Sequence, residues 1–147
     1  MGGLRILFDS SVLVAGMVGR HPAHEACWLY LEKALDREFE MLVLTPTLAE
    51  THAALTSLPL SPRITPALAA RLIKENVESV AQIVPVTAED YRAAALTVAE
   101  LDAPGRAIHR SVFIACAERI PADRLVTLHP HDYLRLWPDG EETVIAP

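Results

Sequence analysis

The sequence predicts an α/β fold, a single domain over residues 1–147 with a central parallel sheet of four or five strands and helices on both faces. Three observations carry this reading. Short apolar runs alternate with longer helical patterns along the chain, helix-start signals recur between them, and the proline-rich connections are too short to be domain linkers. With 147 residues, 51% of them hydrophobic, the chain can bury one good core and is short of two.

Taken in order, "LRILFD" (4–9) is a buried-strand candidate that ends in a carboxylate, and the apolar run "VLVAGMV" follows it. "HPAHEACWLYLEKALDR" (21–37) has helical spacing, and "MLVL" (41–44) is a second short strand. "TPTLAETHAALTSL" (45–58) offers Thr45 as N-cap and Pro46 at the first helical position; "TPALAARLIKENVESV" (65–80) repeats that start after the proline turn 59–66. The strand "QIVPV" (82–86) leads to the helix 87–101, where Thr87 and Asp90 have capping-box spacing. After the break "DAPG" come a helix over 105–119, the strand "RLVTL" (124–128), a turn at "HPHDYL", and an edge strand at "TVIA". Strand one is expected in the middle of the sheet.

Composition narrows the function. A net charge of −6 and a pI near 5.4 argue against holding nucleic acid by bulk charge, so any such site must be local or assisted by bound cations. Asp9, Ser10 and Ser11 interrupt the first apolar run, which argues against a signal peptide, and no run of about 18 apolar residues reads as a membrane span. Cys27 and Cys116 sit in apolar helical patterns without CxxC spacing, as buried thiols of a cytoplasmic protein do.

In open parallel sheets ligands bind beyond the carboxyl ends of the strands. That rule singles out Asp9 after strand one, Glu50 in the helix after strand two, and His129, His131 and Asp132 after the strand 124–128. Asp9 is either a site carboxylate or a helix cap; Glu50, with Leu48, Ala49, His52 and Ala53 around it, reads as a cleft residue rather than a wet one. Arg106, His109 and Arg110 open a helix that otherwise reads as buried. Cations in a first turn oppose the helix dipole at a cost of about 0.3–1 kcal/mol each, which is tolerable without function. Trp28, Tyr30 and Trp137 read as core or interface, and His21 and His24 as capping or solvent-facing.

The motifs "LFDSSVLVAG", "TPTLAETHAALTSLP", and "GRAIHRSVFIACAE" followed by "RLVTLHPHDY" together resemble the PIN-domain ribonucleases, including the toxins of bacterial toxin–antitoxin pairs. The resemblance covers nearly the whole chain. It implies that Asp9 and Glu50 are the first two metal-binding carboxylates, that Asp132 lies in the loop that often carries a further acid, that Mg²⁺ or Mn²⁺ is the cofactor of an active form, and that RNA and a small antitoxin protein are partners. It also implies a homodimer, for which "VLVAGMV" is either the contact face or a core element. The chain departs from the pattern at Arg110, where most members carry an aspartate, and at His129, often Asn or Asp.

The departure has a physical reading. Arginine neither deprotonates in practice nor ligates metal, so Arg110 is expected to reach the acids, pair with Asp9 or Glu50, and repel an incoming cation. Asp9 and Glu50 are expected about 4–6 Å apart, the range in which charges shift one another's pKa. Three functions follow: a metal-dependent endoribonuclease, with Asp132 or the neighbouring histidines completing the metal shell and Arg106 or Arg110 on the RNA phosphate; a degenerate RNA- or protein-binding module in which Arg110 replaces the metal; or a transition-metal site of His109, His129 and His131.

Overall fold

Residues alternate between two buried faces along each strand, and this period of two sets the architecture. The computed structural model describes residues 3–147. Its strands are β1 (Arg5–Phe8), β2 (Glu40–Leu44), β3 (Gln82–Val84), β4 (Arg124–Val126) and β5 (Val144–Ile145), all parallel, in the order β3-β2-β1-β4-β5. Strand β1 is central, as expected, and the sheet has the larger of the two strand numbers. Its register sets Leu7 opposite both Leu42 and Leu125.

One face carries Ile6, Phe8, Met41, Val43 and Val126 against α1 (Ser10–Met17), α2 (His24–Leu35), α3 (Thr45–Ser57) and α4 (Pro66–Ile73). The other carries Leu7, Leu42, Leu44, Val84 and Leu125 against α5 (Ala88–Glu100), α6 (Ala107–Arg119) and α7 (Pro130–Leu134). The run after Asp9 is spent inside: Val12, Leu13, Val14, Ala15, Gly16 and Val18 are all buried, so it supplies a core element and no exposed dimer face. Gly16 permits the close approach of α1 to α2, since a Cβ there would meet the Leu31 side chain at 2.5 Å. Cys27 and Cys116 are buried free thiols, and burial pushes them up to about 11 and about 12.

Several local expectations change. Strand β2 runs straight into α3, so Leu44 occupies the cap position and Thr45 is already helical; its hydroxyl accepts instead from the Val86 amide at 3.4 Å. The second Thr-Pro start behaves as read, with Thr65 accepting from Leu68 N–H. The helix it opens gives way to a π-helical turn at Lys74–Glu78. Residues 130–134 form the short helix α7 rather than a turn, because Pro130 takes a first-turn position where its missing N–H costs nothing.

The capping box of α5 is present, and it does more than cap. Asp90 accepts the Thr87 amide, while Arg119 at the far end of α6 donates to both Asp90 oxygens at 2.8 Å and Cys116 donates its S–H. This buried carboxylate therefore ties the start of α5 to the end of α6, and the Arg119 guanidinium holds it far below the usual range. A depressed carboxylate contributes stability above the ordinary aspartate pKa and loses it as pH falls through the folded value. Asp90→Asn is expected to cost about 3 kcal/mol at neutral pH in a denaturant titration, since one partner of a buried pair is removed. The gap to wild type should begin to narrow below about pH 4 and keep narrowing as the pH falls further.

Candidate active site at the carboxyl edge of the sheet

Strands β1 and β4 end side by side, with the Asp9 amide donating to the Val126 carbonyl at 3.1 Å. The chain then turns into α1 on one side and into α7 on the other, and hydroxyl side chains from both segments meet the Asp9 carboxylate. Ser11 donates to Oδ2 at 2.7 Å, Thr127 to the same oxygen at 2.8 Å, and the Tyr133 hydroxyl to Oδ1 at 3.3 Å. These hydroxyls are themselves held, Ser11 accepting from the Leu128 amide and Thr127 from that of His129. Asp9 makes no side-chain cap to α1, which leaves its charge to the cleft. Thr127 and Tyr133 are buried polar residues that the sequence reading passed over; a Thr directly after a strand and a Tyr beside a candidate acid were the signals available.

A cleft of about 440 Å³ opens over Asp9, lined also by Ser10, His21, Glu50, Arg106, His109, Arg110 and His129. Glu50 comes from α3 and Asp9 from the end of β1, so the structure brings the two acids to one cleft. Glu50 lines the cleft yet is an exposed residue, wetter than its sequence neighbours suggest; even so, the protein around its carboxyl and then the charge of Asp9 push its pKa up. His109, the Ser10 hydroxyl and Arg106 pull the other way. Arg106 takes the cap position of α6 rather than its first turn.

Arg110 does not pair with Asp9 or Glu50. Its Nη2 lies 3.2 Å from Asp132 Oδ2, and its guanidinium carbon stands 5.9 Å from the centroid of the Tyr133 ring. The short helix explains the exchange: consecutive residues of α7 point in different directions, so Tyr133 turns inward to Asp9 while Asp132 turns toward α6. Asp132 lines a neighbouring depression and not the cleft. His131 is exposed and also outside the cleft lining, so the three-histidine site is not assembled. Among the described residues no group of three or more His, Cys, Asp and Glu side chains is placed to hold a metal ion.

Two carboxylates remain. Mg²⁺ is commonly held by one or two carboxylates with waters and substrate phosphates completing its octahedron, so Asp9 and Glu50 are the smallest set that fits. The push of Asp9 on Glu50 is the repulsion that a bound cation relieves. A raised carboxylate costs stability as pH climbs from its ordinary value through the folded one. In EDTA, Glu50→Gln should therefore melt above wild type at pH 7, and the difference should vanish below about pH 4.

The sequence profile of the PIN domain matches residues 6–128, from β1 to just beyond β4. No curated protein matches the sequence. Among solved structures the chain resembles VapBC2 from Rickettsia felis, bound to a DNA fragment from its promoter, with a TM-score of 0.69 at 15% identity over 97% of this chain and 98% of that one. It resembles PAE2754 from Pyrobaculum aerophilum at 0.65 and 20% identity, over 97% of this chain and 89% of that chain. VapC20 from Mycobacterium tuberculosis, a toxin that cleaves the sarcin-ricin loop, gives 0.63 at 14% identity over 82% of this chain and 86% of that one. With the profile covering most of the chain and the fold agreeing along it, this protein belongs to the PIN domain family.

Proposed function

We propose that this PIN-domain chain is a metal-dependent endoribonuclease acting as the toxin of a toxin–antitoxin pair, with RNA as substrate and a small antitoxin protein as its partner. One observation carries the reading: Asp9 and Glu50, from separate elements, line a single cleft at the carboxyl edge of the sheet. They would hold Mg²⁺ or Mn²⁺, which when bound supplies Lewis acidity and lowers the pKa of its water. The hydroxyls of Ser11, Thr127 and Tyr133 orient Asp9 without neutralising it, so its charge stays available to a cation. Arg106, His109 and His129, on the rim of the cleft, take the phosphates flanking the scissile one.

A second reading rests on Arg110. Here the cleft is a degenerate site that binds RNA or protein without cutting, because the cation near the acids is a fixed guanidinium and Asp132 serves as its counter-ion rather than as a third ligand.

Mn²⁺ calorimetry and cleavage of a fluorescent single-stranded RNA by wild type, Asp9→Asn and Arg110→Asp separate the two readings. On the nuclease reading, wild type cleaves with Mn²⁺ and Asp9→Asn loses at least a hundredfold, on the order of one electrostatic catalytic contact. On the degenerate reading wild type neither binds Mn²⁺ nor cleaves. On that reading Arg110→Asp should gain the Mn²⁺ binding that wild type lacks, whereas on the nuclease reading, with the guanidinium already held by Asp132, it should change Mn²⁺ affinity little.

A further inference from the structure

Beside the cleft lies a second depression of about 440 Å³, and Arg110 forms part of the wall of both. Its other lining residues are of two kinds. Leu101, Ala103, Pro104, Ala107 and Leu136 give an apolar surface; Arg110, Arg135 and Asp132 give a charged one. Asp132 contacts both guanidiniums, with Nη2 of Arg110 at 3.2 Å and Nη2 of Arg135 at 4.0 Å. Two cations share one anion, so the group keeps a net charge of +1 on a chain whose net charge is −6.

Among the described residues Arg110 makes this ion pair and no other polar contact, and the Arg135 side chain is 78% exposed. The Arg135 donors therefore face solvent, and Arg110, about one-third exposed, keeps part of its guanidinium open to the depression. A guanidinium carries five donors in a planar fork matched to phosphate. The partner that fits is one with an anion and an apolar face at short spacing, and a nucleotide has both.

We infer that this depression is a second RNA subsite, which takes the nucleotide next to the one in the Asp9–Glu50 cleft. Arg110 and Arg135 bind its phosphodiester, and its base lies on Leu101, Pro104 and Leu136. The shared Arg110 wall makes the two pockets one track for a single strand. Asp132 holds the two guanidiniums in place and leaves donors free for the phosphate. The inference rests on the RNA reading of the cleft and would hold whether or not the cleft cuts.

The test measures the affinity of a fluorescein-labelled single-stranded RNA of about ten nucleotides, a length within the usual range for such grooves, by anisotropy in EDTA. Wild type, Arg135→Glu and Leu101→Asp are compared across a salt series, with thermal melts confirming that each variant is folded. The subsite predicts about tenfold weaker binding for Arg135→Glu. Its log–log salt slope should be shallower by about 0.7, as expected for one lost phosphate contact on a single strand. Leu101→Asp, which changes the base wall, should weaken binding at least threefold. Wild-type binding with both folded variants unchanged would overturn the subsite and leave the cleft reading standing. A wild type that binds no RNA, in EDTA or with Ca²⁺ in its place, would overturn both.

Discussion

The carboxyl edge of this sheet is organised around one anion, Asp9, and the three hydroxyls that hold it. Ser11 and Thr127 close on one oxygen and Tyr133 on the other, so segments following β1 and β4 are locked to each other through a single carboxylate. Neutral donors were needed there: a lysine or arginine would have fixed the same geometry and cancelled the charge that gives the cleft its character. The amides of Leu128 and His129 complete the arrangement by fixing the hydroxyls from behind.

From that centre the cleft divides by sign. Asp9 and Glu50 face each other's charge on the β1–α3 side, whereas α6 brings Arg106, His109 and Arg110. The two sets do not collapse into salt bridges across the cleft, because Arg110 is drawn away by Asp132 and backed by the ring of Tyr133. Tyr133 thus serves both sides, with its hydroxyl on the acid and its face beneath the cation. A cleft that keeps acids and cations apart can receive a cation and a phosphate together. That is the requirement of phosphodiester chemistry assisted by a divalent ion.

The fold was largely legible in the sequence because its signals are local. Alternating apolar strands, a Thr-Pro helix start at 65 and the Thr87–Asp90 box each depend on residues a few positions apart. Asp9 and Glu50 were legible for a related reason: a carboxylate just past a strand, or one turn into the next helix, is at the binding edge of a parallel sheet by topology alone. What stayed hidden depends on long-range partners. Nothing near Asp90 announces Arg119, which lies 29 residues on, and nothing near Asp9 announces Thr127 or Tyr133. The resemblance and its position after β4 place Asp132 with the acids; the α7 helix turns it toward α6 instead and gives the inward position to its neighbour.

The central claim is that Asp9 and Glu50 together form the cation site and that Asp132 stands apart from it. Amide NMR during a substoichiometric Mn²⁺ titration tests it most directly, since a paramagnetic ion broadens signals by proximity. The account predicts that Ser10, Ser11, Glu50 and Leu128 broaden first, while Arg135 and Leu136 remain sharp. Broadening centred on Asp132 and Arg135, or none that is selective, would contradict it.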